Sequence, residues 1–269
     1  MNLERIKQNI NILGEFLGKR DIEALQPDEL KQKYHISQAD VLILFGGSIP
    51  YGCDVVGKAI SEHFMKHFMI VGGEGHTTKT LRKVMQQTHP GMITEGKMEA
   101  EMMYEYIHMK YPAIPVLLER KSTNCGNNIS NALELLRQNE LKPQNIVIVQ
   151  DSTMQLRMDA GFRKNLQDTD IEVINFAAYQ VRVEIKDEKL TFEPSNLWGM
   201  WDMERYISLL LGEIARLTDD QNGYGPNGKG YIAHVDIPEM VRSAFDELSG
   251  NYADLVRTAN PRYASVIIE

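Results

Sequence analysis

Near the N-terminus, Ile6, Ile10, Leu13 and Leu17 recur at helical spacing on one side, which predicts an amphipathic helix. The pattern then changes period. Val41-Leu42-Ile43-Leu44-Phe45 is apolar throughout and is closed by Gly46-Gly47. Such a run fits a strand covered on both faces, as in a parallel sheet. Residues 68–71, closed by Gly72-Gly73, repeat the signature, and runs at 114–118, 146–149 and 171–174 predict three further strands. Helical stripes lie between them. Met98, Met102, Tyr106 and Met109 are read as a helix face packed on the sheet rather than a methionine-rich binding surface, and Ile129, Leu133 and Leu136 mark another. Strand alternating with helix predicts crossover connections and an α/β fold, a Rossmann-like doubly wound, mainly parallel sheet.

After about residue 175 the period changes again. Residues 181–185 and 189–192 alternate around Lys186-Asp187-Glu188, the pattern of a hairpin or edge ribbon. Met203, Ile207, Leu210, Leu211, Ile214 and Leu217 predict a strongly amphipathic helix; a Gly-rich loop spans 219–230, and Pro238 opens another helix. The expected organisation is an N-terminal helical segment over 1–37 packed on the core, a Rossmann-like ligand-binding domain over 38–195, and a small helical C-terminal subdomain over 196–269.

The 269 residues are 43% hydrophobic and 25% charged, which excludes intrinsic disorder as the main state. With 29 basic against 37 acidic side chains, the net charge of -8 argues against nucleic-acid binding. The two cysteines, Cys53 and Cys125, fit a reducing compartment rather than a disulfide scaffold. Glu4, Lys7 and Glu15 interrupt the N-terminal stretch where a signal peptide needs an apolar run, and no run approaches the length of a membrane helix. The expectation is a cytoplasmic protein with a small-molecule ligand and neither nucleic acid nor membrane as partner.

In an open parallel sheet, ligands bind outside the carboxyl ends of the strands. Four consecutive strand-to-helix junctions carry small or polar residues: Gly46-Gly47-Ser48, then Gly72-Gly73-Glu74-Gly75-His76-Thr77, then 119–124, then Gln150-Asp151-Ser152-Thr153. The glycines serve either as tight turns or as exposed N–H donors for an anion or nucleotide-like ligand. His76 is a candidate general base or ligand contact, with a structural role equally open. Glu74 is read as a solvated loop charge ahead of a ribose contact. Ser122, Asn124 and Asp151 sit where helix caps are expected, a role compatible with ligand contact. Glu99, in a first helical turn, is by pattern a helix-dipole carboxylate. Arg157, one turn beyond Asp151, is expected to pair with it, or with an anionic substrate.

Gly223-Tyr-Gly225-Pro-Asn-Gly228 satisfies G-x-G-x-x-G, but it follows Thr218-Asp219-Asp220-Gln221-Asn222 rather than a strand, so a pyrophosphate site there is rejected. A surface loop is expected, or a flap with Tyr224, His234 and Asp236 as lid contacts. No zinc spacing, nucleophile elbow or P-loop occurs, and no metal site is expected.

Ser122-Thr-Asn-Cys-Gly-Asn-Asn128, Val149-Gln-Asp-Ser-Thr-Met-Gln155 with Arg157, the helix 204–213, and 220–228 with His234-Val-Asp-Ile-Pro238 resemble the ElyC/SanA/YdcF family of bacterial proteins, over roughly residues 38 to 240. The resemblance implies a Rossmann-like domain with a small C-terminal domain, a pocket at the strand ends and S-adenosylmethionine as ligand. Its pattern matches Gly46, Gly47, Gly72, Gly73, His76, Glu99, Ser122, Asn124, Asn128, Gln150, Asp151, Gln155 and Arg157, and it raises Glu99 above a dipole role. The family commonly carries Glu where this chain has Asn127, which removes one carboxylate from any metal or acid–base role.

Together these readings nominate His76, Glu99 and Asp151 as catalytic candidates. Gly46, Gly47, Ser48, Gly72, Gly73, Glu74, Ser122, Asn124, Asn128, Gln150, Gln155 and Arg157 are the cofactor-binding candidates. The leading expectation is binding of S-adenosylmethionine or a related nucleoside-like ligand, with transferase chemistry if the protein is an enzyme. A metal-assisted hydrolase or transferase on a phosphorylated or sugar-linked envelope precursor, and a non-catalytic metabolite sensor, are the alternatives.

Overall fold

A computed structural model describes residues 2–47, 49–75 and 77–255. Helix α1 (Leu3–Leu17) and α2 (Pro27–Tyr34) lead into β1 (Ala39–Phe45), α3 (Tyr51–Ser61), β2 (Met65–Val71), α4 (Thr78–Thr88), α5 (Glu99–Lys110) and β3 (Val116–Glu119). There follow α6 (Cys125–Gln138), β4 (Asn145–Gln150), α7 (Gln155–Asn165), β5 (Glu172–Ala177), the hairpin β6 (Arg182–Lys186) and β7 (Lys189–Glu193), α8 (Met203–Leu217) and α9 (Glu239–Asn251). The five predicted strands exist, each extended or shifted by a few residues. Strand β3 starts after Pro115, whose missing N–H suits it to the strand's entrance.

The sheet is all parallel in the order β3-β2-β1-β4-β5, and helices cover both faces, so the fold is α/β, Rossmann-like and doubly wound. Alternation along the strands divides the core. Val41, Ile43, Phe45, Met69, Ile146 and Ile148 face Ile129 and Ala132 of α6 and Met158 and Phe162 of α7. Leu42, Leu44, Phe68, Ile70, Val147 and Val149 face the other way, toward Val56 and Ile60 of α3 and Met102 and Met103 of α5. Both sides being apolar explains why the strands read as continuous hydrophobic runs.

The stripe assigned to α5 needs one correction. Its buried face is Glu99, Ala100, Met102, Met103, Tyr106 and Ile107, while Met109 is exposed. The face centres on the row through Met103 and Tyr106, so Met109, in the last turn, falls off its margin.

Helix α1 buries Ile6, Ile10, Leu13 and Leu17 as predicted, packing on α8, α9 and β6. Asn11 of α1 also bonds both backbone groups of Val183, at 2.9 and 2.7 Å, capping the open edge of the hairpin. Beyond α1 the chain at 19–21 runs antiparallel along β5, with Asp21 N–H donating to Asn175 O at 2.9 Å and Ala177 N–H to Lys19 O at 3.1 Å. That segment closes the sheet's β5 edge. No described helix is long and apolar enough to cross a membrane.

Candidate functional site

Connections from β1 run one way across the sheet and those leading to β4 the other, so the strand order reverses between β1 and β4. The crevice outside such a reversal is where an open α/β sheet receives ligands. Here it is flanked by Gly46-Gly47 after β1 and Gln150-Asp151 after β4, with the end of β2 beside them.

The glycines are explained first by a side chain. A Cβ on Gly46 would collide with Oε2 of Glu99, and one on Gly72 would stand 3.0 Å from the Cβ of Glu99. Both therefore make room for Glu99, which enters from the first turn of α5, its backbone N–H donating to Gly73 O at 3.2 Å. The expectation of exposed N–H donors is corrected at three of the four positions. Gly46 N–H donates to Val71 O at 2.6 Å, Gly72 N–H to Glu119 O at 3.0 Å and Gly73 N–H to Ser122 Oγ at 3.2 Å. The first two bonds extend the sheet ladder past the strand ends, and the third ties the turn after β2 to a side chain of the β3 junction. Gly47 N–H, half-buried, has no partner among the described residues.

Glu99 is 6% exposed. Its Oε1 accepts from the hydroxyls of Thr78 at 2.8 Å and Thr77 at 3.2 Å, and no described residue bonds Oε2. Burial pushes its pKa up, opposed by those hydroxyls and by Arg82. The site thus holds a carboxyl group with one oxygen anchored and the other open.

Asp151 is buried and hydrogen-bonded through both oxygens. Oδ1 accepts from Thr153 N–H at 2.9 Å, Thr153 Oγ1 at 2.7 Å and Tyr179 OH at 2.9 Å, and Oδ2 accepts from Trp201 Nε1 at 3.0 Å. Burial raises its pKa against these four neutral donors. It is an anchor for the turn after β4 and for the segment carrying Trp201, with Oδ1 fully engaged and Oδ2 holding one donor. Gln155 is likewise committed: Oε1 accepts from Gln150 N–H at 3.0 Å, and Nε2 donates to Ile148 O at 3.2 Å and Asn175 Oδ1 at 3.0 Å. The Gln150 side chain bridges Gly46 O at 3.3 Å and Asp151 N–H at 2.6 Å, tying the ends of β1 and β4 across the reversal.

Arg157 does not pair with Asp151. Its Nε and Nη2 reach both carboxylate oxygens of Glu213 on α8, the second at 3.0 Å, and both side chains are buried or nearly so. Burial opposes the charged guanidinium, but Glu213 and the neighbouring Cys125 and Tyr224 raise its pKa overall. Two carboxylate oxygens facing one guanidinium make a bidentate pair, to which Arg216 Nη1 adds a contact with Glu213 Oε1 at 3.5 Å, so Arg157 links α7 to α8.

The remaining candidates separate similarly. Ser122 accepts from Gly73, while Asn124 caps α6, its Oδ1 accepting from Asn127 N–H at 3.0 Å. Asn128 stands half-buried in the first turn of α6, its side-chain amide bonded by no described residue. Glu74 is the solvated loop charge expected, paired with Arg82 at 3.1 Å. Ser48 and His76 lie outside the described residues. The loop 219–237 packs on α7 and α8, with Ala233 N–H donating to Ala160 O at 2.9 Å and Tyr224 N–H to Arg216 O at 2.8 Å. In it His234 stands between Asp219 Oδ2 at 2.6 Å and Asp236 Oδ1 at 3.1 Å, and its hydrogen bond to Asp219 chiefly raises its pKa.

Three features escaped the sequence reading. Glu119 is buried and accepts from Lys121 N–H, Ser122 N–H and Asn131 Nδ2 at 2.7, 3.1 and 3.0 Å, shaping the β3 junction. Glu213 neutralises Arg157. A strap over 197–202 crosses the carboxyl edge, with Trp201 bonded to Asp151 and Trp198 Nε1 donating to Asp54 Oδ2 at 2.6 Å. Between them Gly199 has φ +75 and lies against Pro50, where a Cβ would stand 2.5 Å from Cδ, so glycine is required there. The available signal was the placement of the chain's only two tryptophans around a glycine in an otherwise patternless segment.

Among the described residues no group of three or more His, Cys, Asp and Glu side chains is arranged to hold a metal ion. No family model matches the chain.

Proposed function

We infer that the chain binds a nucleoside-like small molecule, with S-adenosylmethionine the leading candidate, at the carboxyl ends of β1, β2 and β4. One observation carries the reading: next to the strand reversal, an acceptor (Glu99 Oε2) and a donor (Gly47 N–H) are left unengaged by the described residues, while nearly every other polar group there is committed. A ribose offers hydroxyls that both donate and accept, which suits such a pair. A buried carboxylate can also offset a sulfonium, because in a dry site opposite charges attract more strongly than in water. Asn128 adds an amide that can read a polar tail or a base edge.

S-adenosylmethionine itself rests on the family resemblance. When bound, it would supply an activated methyl group; the chain's part is to hold it, with Glu99 at the charged or ribose portion and Gly47 and Asn128 as hydrogen-bond partners. The same reading places the protein in the cytoplasm, which its free thiols, Cys53 buried and Cys125 half-buried, suit. The test is calorimetric titration of the purified protein with S-adenosylmethionine, alongside mass analysis of small molecules released on denaturing it. Saturable binding weakened by Glu99→Gln, by about tenfold for a lost charged hydrogen bond, supports the assignment. No saturable heat and no released nucleoside would remove it.

A further inference from the structure

A cavity of about 480 Å³ lies at the far edge of the sheet, between the 20–26 segment, α3 and the chain leaving β5. Arg20 stands at its head. The guanidinium stacks on Phe176, 4.0 Å from the ring centroid, donates from Nε to Ala177 O at 2.8 Å and reaches Gln180 Oε1 at 3.4 Å. Among the described residues no carboxylate lies within ion-pair distance of it, and Nη2 has no partner. Burial pushes its pKa down, with Glu23 and Tyr51 opposing that shift from nearby. A half-buried guanidinium with no carboxylate in direct contact is partly desolvated without full compensation, and an incoming anion would offset that cost. Beside it the hydroxyl of Tyr51, which also lines the cavity, is bonded by no described residue.

The rest of the lining sets the ligand's other features. Leu25, Val55, Phe176, Pro194 and Leu197 form an apolar wall. Glu23 and Glu62 stand on the rim with Lys58, all three exposed. Two rim carboxylates disfavour a dianion such as a phosphate monoester, and the two open donors at the head match one carboxylate. The volume is in the range of small-molecule pockets.

We propose that this cavity is a second ligand site, separate from the strand reversal, that takes a small monocarboxylate with an apolar body, its head on Arg20 and Tyr51 and its body against Leu25, Val55 and Leu197. A flexible chain and an aromatic acid share that chemistry, and the probes distinguish them: octanoate for the first, 3-phenylpropionate for the second, and octan-1-ol as a control without charge.

The experiment is titration of the full chain with each probe, followed by calorimetry and ligand-observed NMR, on wild type, Arg20→Gln, Arg20→Lys and Ala24→Trp. Thermal melts confirm that each variant is folded. Saturable binding of at least one acid is expected, weakened about tenfold or more by Arg20→Gln, partly retained by Arg20→Lys, and abolished by Ala24→Trp, which fills the cavity from its rim. Octan-1-ol should bind more weakly and be indifferent to Arg20→Gln. Excess S-adenosylmethionine should leave the acid bound, and Glu99→Gln should not affect it, whether or not the strand-end site proves real. Acid binding unchanged in folded Arg20→Gln, displaced by S-adenosylmethionine, or absent from wild type would each overturn the proposal.

Discussion

The indole N–H of Trp201 donates to Oδ2 of Asp151 at 3.0 Å, tying the strap over 197–202 to the end of β4. Three residues earlier Trp198 makes the same kind of bond to Asp54 of α3 at 2.6 Å. The two carboxylates differ in charge environment. Burial opposes ionisation of Asp54, but bonds from Lys110, Tyr111, Tyr106 and Trp198 outweigh it and hold its pKa below the ordinary value. Asp151 has only neutral donors, and burial wins. Each tryptophan therefore closes one end of a strap that has few other polar ties. Trp201→Phe keeps the ring and leaves Oδ2 buried without its donor. It should cost about 1–3 kcal/mol in urea unfolding and open the strap to proteolysis within 194–202. Wild-type stability together with an uncut strap would show that this bond does not hold it.

Arg157 and Glu213 test whether a side chain that looks like a ligand contact is a structural pair. Glu213 is buried and Arg157 nearly so, and the carboxylate engages Nε and Nη2 of the guanidinium. Removing one partner strands a buried charge, so Arg157→Met or Glu213→Leu alone should destabilise by about 3–5 kcal/mol. The double variant Arg157→Met/Glu213→Leu should recover most of that loss, because an apolar pair can replace a buried ion pair at little net cost. A double-mutant cycle by chemical denaturation reads this directly. Losses that simply add would return Arg157 to the list of groups held open for a ligand.

What the sequence reveals about this fold follows from which interactions are local. Continuous apolar runs ending in Gly-Gly mark β1 and β2 because two-sided burial leaves no polar position over 41–45 and 68–71, the carboxyl halves of the two strands. The helical face of α1 is legible because it buries one side through its whole length, whereas α8 is buried all round over 206–214, so its apolar row marks the helix but not the extent of its burial. Convergence of the four junctions also follows, since parallel strands put all their carboxyl ends on one edge. What each polar residue does there does not follow. Arg157 meets Glu213, 56 residues away, and Asp151 meets Trp201, 50 residues away. Spacing along the chain carries no information about such partners. Gln155 shows the same limit: it occupies a ligand-like position in sequence, yet all its capacity is used in joining β4 to β5.

Gly46 and Glu99 are coupled by space rather than by a bond. A Cβ at position 46 would meet Oε2 of Glu99, the one oxygen left open. Gly46→Ala should therefore push the carboxyl group aside, costing about 1–3 kcal/mol as an overpacked site does, and should weaken ligand binding at the strand ends as much as Glu99→Gln does. Combining Gly46→Ala with Glu99→Ala should restore most of the stability but none of the binding. Equal stability losses in the presence and absence of the Glu99 side chain would separate the glycine from the carboxylate.

The raised pKa of Glu99 fixes the sign of a pH effect. Its ordinary value is 4.5, and in the fold burial lifts it. Between those two values the native state holds a proton that the unfolded chain has released, so stability falls as pH rises through that window and levels off once both states are ionised. Glutamine at 99 keeps an acceptor for Thr77 and Thr78 and cannot ionise. Urea unfolding of wild type and Glu99→Gln from about pH 5 to about pH 8 should then show a shallower decline in the variant, with Asp151, whose pKa is raised for the same reason, supplying the remaining slope. A ligand that brings a cation or hydroxyl to Oε2 stabilises the ionised form, lowers the folded pKa and should flatten the wild-type curve toward that of the variant. Parallel curves for the two proteins would mean that Glu99 ionises in the fold as it does in the unfolded chain, and the buried acceptor proposed at the strand ends would lose its electrostatic basis.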